Sequence, residues 1–186
     1  MLPVAAMNRV CLAAVLLAAS SSVASAGIYA GLGIGTGADV NHDSGVNTLV
    51  GNNRSARLLA GYRFGRFSVE VSGTHYGLVL DGAFFDANQL GLLGKYSFPI
   101  GDGFELFGRG GVQHTWLSTS ETGQSNAEGT GVVLGAGVEY RLQVKFVAGA
   151  SIFVDYERTQ TPFTQTVGGK WNSGAGMFTL GATVSL

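Results

Sequence analysis

The 186-residue chain is long enough for one domain, has a formal net charge of −1 and only 12% charged residues. No strongly basic or acidic surface is indicated, and nucleic acid is excluded as a partner. Thirty glycines with no repeat at every third position, beside only three prolines, exclude a collagen-like chain.

The N-terminus reads as a targeting segment. Arg9 is the only charge before residue 39; the apolar run "VCLAAVLLAA" follows from Val10 to Ala19, then "SSSVASA" with small residues at Ala24 and Ala26. A basic start, a short apolar run and two small residues before a cut describe a secretory signal peptide, residues 1–26, cleaved after Ala26. Met7 offers a second, more compact start. The run is too short to span a bilayer as a helix, and "NRVC" lacks the small residues of a lipidation site before Cys11. Cleavage would remove Cys11, the only cysteine, so the exported part, 27–186, has no thiol or disulfide chemistry. No later segment holds about 18 successive apolar residues, so no transmembrane helix is expected.

Beyond Ala26 the chain alternates between patterned segments and polar connectors. Extended segments are expected at 27–38, 55–64, 67–79, 88–98, 104–117, 130–142, 144–158 and 174–186. Short connectors fall at 65–66, at "PIGDG" (99–103), and within 142–145, where the sequence lacks turn residues and the division rests on strand length alone. Long connectors fall at 39–54, 79–87, 118–129 and 159–173. Eight strands, joined alternately by short turns and long loops, are the pattern of a bacterial outer-membrane barrel.

"GVEYRLQVKFV", from Gly137 to Val147, shows the period. Val138, Tyr140, Leu142, Val144 and Phe146 alternate with Glu139, Arg141, Gln143 and Lys145. A period of two belongs to a strand with different surroundings on its two faces. Across all segments one face gathers apolar residues, among them Ile28, Leu58, Val69, Leu90, Leu134, Ile152 and Phe178. The other gathers Arg57, Arg63, Glu70, Lys95, Glu105, Arg109, Glu139, Arg141, Lys145, Asp155 and Glu157, with glycines such as Gly33, Gly61, Gly135, Gly137 and Gly181.

The glycines indicate which face meets water. The interior of an eight-stranded barrel is just wide enough for side chains to fill, so long charged side chains there need small neighbours. The same glycines in bulk water would weaken the strands with no packing return, which counts against a soluble exported sandwich or lipid-carrying barrel. Opposite charges enclosed in a lumen should pair, since an unpaired one is costly. Tyr62, Phe64, Phe67, Tyr96, Phe98, Trp116, Tyr140 and Tyr156 lie near segment ends, where membrane-interface girdles are expected. The fold expected is an all-β, eight-stranded antiparallel up-and-down transmembrane β-barrel over 27–186.

The stretches "LGLLGKYSFPIGDGFELFGRGGVQHTW", "LGAGVEYRL" and "FVDYE" resemble the OmpA-like transmembrane barrel domain. The resemblance covers essentially all of 27–186 and is strongest from the third to the sixth segment. It implies eight antiparallel strands in the outer membrane of a Gram-negative bacterium, with both barrel ends in the periplasm, and an ion-pair cluster in the lumen. By motif, Glu70, Lys95 and Glu139 stand at the family's two glutamates and its lysine. The family's arginine on the seventh strand should fall near Phe153 and is missing. Arg109, Arg141 and Lys145 are the candidate substitutes, and the departure removes the ground for inheriting any gating by ion-pair exchange. The expected lumen network is Glu70, Lys95, Glu105, Arg109, Glu139, Arg141 and Lys145. A peptidoglycan-binding domain, frequent in the family, is not expected. The final residue is Leu186 rather than the usual Phe, but the apolar phase at 178, 180, 182, 184 and 186 fits a signal to the barrel-assembly machinery.

Other chemistry is thinly represented. Lipid A-modifying barrels need a nucleophile beside a base. Neither "THYG" nor "QHTW" supplies a serine two residues on, and His75 and His114 fall on the lipid-facing phase, so interfacial histidines are expected rather than catalytic ones. Asp39, Asn41 and Asp43 alternate like the start of a calcium loop, but the glycine is displaced and Val50 stands where a glutamate is needed, leaving a solvated loop. "GLGIGTG" opens no nucleotide-binding unit. No cofactor or metal is expected. Phe84, Phe85, Phe163 and Trp171 are expected at external loops, facing a host or surface ligand or lipopolysaccharide, or extending the girdle. The function expected is structural, for envelope integrity, with loops available for adhesion. A narrow pore and a lipid A-modifying enzyme are the alternatives. The leader reading predicts that the protein from an outer-membrane fraction begins at Gly27; intact-mass spectrometry showing residues 1–26 retained would refute it.

Overall fold

The computed structural model describes residues 27–42, 49–80, 83–119, 126–142, 149–165 and 170–185. Its strands are β1 (Gly27–Gly35), β2 (Asp39–His42), β3 (Leu49–Phe64), β4 (Phe67–Leu80), β5 (Ala83–Gly101), β6 (Phe104–Ser118), β7 (Ala127–Leu142), β8 (Gly149–Gln165) and β9 (Lys170–Ser185). Every neighbouring pair is antiparallel, and β1 pairs with both β3 and β9, which closes the sheet into a ring. β2 also lies between β3 and β9. It continues the wall position of β1 past residues 36–38, where Thr36 N–H donates to Phe178 O at 2.9 Å. The ring therefore has eight positions, and no helix occurs among the described residues.

Closure follows from the residues. The β-branched and aromatic residues of each segment favour extended backbone, and a bilayer leaves no sheet edge tolerable, so the ladder must meet itself. At one end the connections are tight. Phe64 pairs directly with Phe67 across Gly65 and Arg66, and Gly65 takes a positive φ of 74° that suits a residue without Cβ. Gly101, Asp102 and Gly103 all have positive φ at the β5–β6 turn.

The structure lengthens the strands expected from sequence. β3 starts at Leu49 rather than 55, β5 spans 83–101 rather than 88–98, β7 starts at 127, and β8 and β9 extend into the expected 159–173 loop. Asp39 to His42 form ladder rather than solvated loop. These ends do not keep the phase of the apolar band, yet they continue the hydrogen-bond ladder. Of the expected strand 144–158, the described part runs from Gly149 onward. The leader, Asp43, Val144, Lys145, Phe146 and Leu186 lie outside the described residues.

The two faces separate cleanly. Leu58 is 70% exposed and Leu134 68%, while Glu70 and Asp155, on the opposite phase, are 1% exposed. From β3 on, each strand has 14 to 19 residues. Sixteen residues at about 3.4 Å each, tilted by about 40°, give roughly 40 Å of height against an apolar band of roughly 25 Å. The outward aromatics Phe64, Phe67, Phe98 and Phe104 lie directly beside the tight turns, so the surplus height stands at the opposite, loop-bearing end. There the outward residues turn polar: His75, Asn88, Asp86, Glu128, Gln160 and Asn172.

The inward glycines are sterically required. A Cβ on Gly61 would lie 2.5 Å from the Tyr29 ring, one on Gly137 2.6 Å from the Phe107 ring, and one on Gly135 2.8 Å from Glu157 Cγ. Gly135→Arg and Gly137→Arg are therefore expected to overfill the lumen. The readout is the gel-mobility shift between unboiled and boiled protein: the native chain shifts, and both variants lose the folded band. Normal folding of both would mean the faces are reversed.

Candidate functional site: the filled lumen

The period of two delivers charges from six strands into one enclosed column. Nearest the tight turns, Arg63 Nη2 on β3 lies 2.9 Å from Glu105 Oε2 on β6, and Arg141 Nη2 on β7 lies 2.6 Å from Glu105 Oε1. The Arg141 side chain is 46% exposed, which places it at the barrel mouth rather than in the enclosed network expected from sequence. It sits at the strand end, beside the turn Gly103, whose carbonyl accepts from Arg141 N–H at 2.9 Å.

The next layer centres on Lys95. Its Nζ donates to Glu139 Oε2 at 2.6 Å and lies 3.7 Å from Glu70 Oε1. Glu139 Oε1 accepts from Ser151 at 2.5 Å, and Ser151 shares a 2.6 Å hydrogen bond with Thr183. Tyr29 donates to Glu70 Oε1 at 2.5 Å. Lys95 Nζ also stands 4.3 Å from the centre of the Phe107 ring, a cation–π contact strengthened by exclusion of water.

Above it, Arg109 reaches three carboxylates. Its Nη1 lies 3.4 Å from Glu70, its Nη2 pairs with Asp155, and its Nε is 2.5 Å from Glu157 without hydrogen-bond geometry. Arg57 pairs with Asp155 at 3.3 Å and with Glu157, and donates to Thr74 at 3.4 Å. Of the three candidate substitutes for the missing arginine, Arg109 occupies the central place, Arg141 is at the mouth, and Lys145 lies outside the described residues. Phe153 itself faces inward and is buried.

The expected network omitted Arg57, Arg63, Asp155 and Glu157, although all four share its phase. The inward apolar residues Tyr29, Leu59, Phe107 and Phe153, which form one cluster, were also missed. Their spacing was the available sign: Leu59 follows Arg57 by two, Phe107 lies midway between Glu105 and Arg109, and Phe153 precedes Asp155 by two.

Toward the loop end the filling changes. Gln89 donates to Tyr76 OH at 3.0 Å, and beyond this Leu78, Phe85, Ala87, Leu117, Ala127, Phe163 and Met177 pack with Ala38 and Tyr76 as a second cluster. Phe85 and Phe163 are thus interior residues, contrary to the external-loop position expected; each falls on the inward phase of a longer strand. Phe84, one residue away, is 62% exposed, and the side chain of Trp171 lies outside what is described.

On the outer face, His75 Nδ1 is 3.0 Å from Asn88, and His114 Nδ1 is 2.8 Å from Thr130 Oγ1. Glu128 lies 3.9 Å from His114 Nε2, too far for a hydrogen bond, and Trp116 packs edge-on to His114 at 4.4 Å. Among the described residues, no group of three or more His, Cys, Asp or Glu could hold a metal ion.

A family model for the outer membrane protein beta-barrel domain matches residues 10–185. The chain belongs to this family. Its place is the bacterial outer membrane, as the apolar outer face requires. Solved structures with the same fold include Neisserial surface protein A, at a TM-score of 0.69 and 18% identity over 88% of this chain and 100% of that one. Ail, the attachment invasion locus protein of Yersinia pestis, has a TM-score of 0.59 and 20% identity over 87% and 100%. OprG of Pseudomonas aeruginosa has 0.55 and 16% over 87% and 96%. At these identities the likeness is one of fold. No curated protein sequence matches the chain.

Arg109 is the cation shared by Glu70, Asp155 and Glu157. Arg109→Leu is expected to cost roughly 3–5 kcal/mol, because removing one partner leaves buried charge uncompensated. Urea unfolding of the barrel refolded in lipid vesicles measures it; a midpoint unchanged from the native chain would show that the network is not stabilising the barrel.

Proposed function

We propose that this outer-membrane barrel is a closed structural element of the envelope, exported behind a leader ending at Ala26 and held with its tight turns and termini toward the periplasm. The observation that carries this reading is the lumen, filled by two stacked plugs of different chemistry. The lower is charge-paired: Arg57, Arg63, Lys95, Arg109 and Arg141 stand among Glu70, Glu105, Glu139, Asp155 and Glu157. The upper is apolar, with Leu78, Phe85, Leu117 and Phe163 each buried. An ion crossing the barrel would have to separate buried pairs and then cross a dry apolar layer, and both steps are costly. This favours a wall over a conduit.

The loop end supports a second role, contact with a surface ligand, because the ladder carries it clear of the apolar band. Ail has been crystallised with the heparin analogue sucrose octasulfate. Here segments 36–54, 80–87, 118–129 and 158–173 contain Asp39, Asp43, Asp81, Asp86, Glu121 and Glu128 against Arg54, Arg158 and Lys170. That acidic excess disfavours a sulfated polyanion, so any adhesive partner would be neutral or basic. A catalytic role is disfavoured by the outer-face histidines: the hydroxyl beside His114 is the cross-strand Thr130, and Glu128 does not orient the ring. The C-terminal strand, with Phe178, Leu180 and Val184 facing outward, is the surface we assign to the assembly machinery.

Planar-bilayer recording tests the closed reading. The purified barrel is expected to give no stable single-channel steps. Stable channels that vanish on changing Glu70 or Lys95 would make it a pore.

A further inference from the structure

Above the apolar band one outward aromatic stands apart from the rest. At the tight-turn end Tyr62, Phe64 and Phe67 pack ring to ring, as do Phe104 and Tyr140. Trp116 on β6 has polar residues on either side instead: its register partners are Asn88 on β5 and Glu128 on β7. The last apolar outward residue below it on β6 is Val112, four residues deeper, which is about 10 Å in height at a strand tilt of about 40°. The Trp116 ring is exposed.

A groove of about 480 Å³ opens beside the ring, lined by Trp116, Ser118, Asn126, Glu128 and Thr164. Its upper edge is tied between the ends of β5, β6 and β7: Thr119 N–H donates to Asn126 Oδ1 at 3.1 Å, and Thr119 Oγ1 donates to Phe84 O at 2.9 Å. The groove is thus set before anything enters it, which lowers the ordering cost of binding.

Charge is the second observation. Glu128 lines the groove and Asp86 is the register partner of Ser118, so a carboxylate stands on each side of the tryptophan. Both are exposed, and neither has a Lys or Arg partner among the described residues. The inward carboxylates Glu70, Glu105, Glu139, Asp155 and Glu157 all have one. His114 Nε2 is 3.9 Å from Glu128, and Lys170, the register partner of Thr164, forms no ion pair with it. Asp86 and Glu128 stand on strands about 10 Å apart, two spacings of about 4.8 Å. One cation cannot reach both. Two can when they are two or three residues apart on an extended chain, which rises about 3.4 Å per residue.

We propose that this groove seats an extended basic segment of a partner protein, with one lysine or arginine over the Trp116 ring against Glu128 and a second on Asp86. A cation is drawn to the face of an indole and forms its strongest hydrogen bonds with a carboxylate. A neutral sugar could stack on the ring, but it would leave both carboxylates without a counter-charge. The acidic excess of the loop-end segments steers a basic partner toward the same end. This deepens, and rests on, the surface-contact role and the orientation proposed above, which put the loop end outside the cell.

Fluorescence anisotropy of a labelled peptide of alternating lysine and serine tests it, with the mature barrel in phosphatidylcholine nanodiscs. The comparison probes are the matching glutamate–serine peptide, an all-serine peptide, and maltoheptaose as an unlabelled competitor. The lysine peptide is expected to bind saturably, one per barrel, and the comparison probes neither to bind nor to compete. Trp116→Ala and Glu128→Gln should each weaken it roughly tenfold and Asp86→Asn about threefold, while Trp116→Phe keeps part of the binding. Asp39→Asn, which removes the same charge on β2, should change nothing. Equal losses in Asp39→Asn and Glu128→Gln, unchanged binding in Trp116→Ala, or competition by maltoheptaose would each overturn the proposal. Every variant is run unboiled and boiled, so that an unfolded barrel is not scored as a lost site. Labelling of Lys170→Cys by an impermeant maleimide on intact cells reads the orientation separately. Label on intact cells with no peptide on the purified barrel removes the groove and leaves the envelope role standing. Peptide on the purified barrel with label only after lysis keeps the groove and overturns the orientation.

Discussion

A guanidinium and a carboxylate taken out of water have to find one another, and in this protein that requirement fixes the geometry of the ring. Arg109 on β6 reaches Glu70 on β4 and the β8 residues Asp155 and Glu157; Arg57 on β3 reaches the same two β8 carboxylates. These contacts cross the lumen and skip intervening strands. They can form only when the sheet is closed at a diameter that matches the reach of an arginine. A slip of one residue in any of these strands would turn its charges into lipid. The same pairs that fill the barrel therefore also specify its register.

The glycines and inward aromatics belong to that constraint. Tyr29 lies across Gly61, Phe107 across Gly137 and Phe153 across Gly181, so rings lie flat along the wall and leave the centre to the charges. Phe107 then offers its face to Lys95, and Tyr29 offers its hydroxyl to Glu70. Removing the Cβ from one strand makes room for a ring from another, and that ring in turn helps hold a charge. Phe153, at the place where the resemblance leads one to expect an arginine, is part of this packing, while Arg109 takes the central cationic position.

How much of this could be read from sequence depends on whether two solvents alternate along a strand. Within the apolar band they do, and the alternation of Val138, Glu139 and Tyr140 or of Val69, Glu70 and Val71 with their neighbours marks the faces and most of the buried charges. Beyond the band the phase inverts, apolar inward and polar outward, over only a few residues at each strand end, so the period of the band breaks off there and Phe85 and Phe163 looked like loop aromatics. Which charge meets which was not legible either. Arg57, Asp155 and Glu157 share a phase with the expected network, but strand order around a ring, tilt and register together decide who is opposite whom.

The change of filling from charged to apolar along the axis divides the molecule by architecture. In the bilayer it is inverted, polar within and apolar without. Above the bilayer, where Leu78, Phe85, Leu117, Phe163 and Met177 lie inside and Asp86, Glu128 and Gln160 outside, it has the ordinary plan of a water-soluble barrel. The exposed part thus has a hydrophobic core of its own and does not borrow its rigidity from lipid. Surface residues at that end can change without disturbing either the apolar band or the ionic column, since neither depends on them.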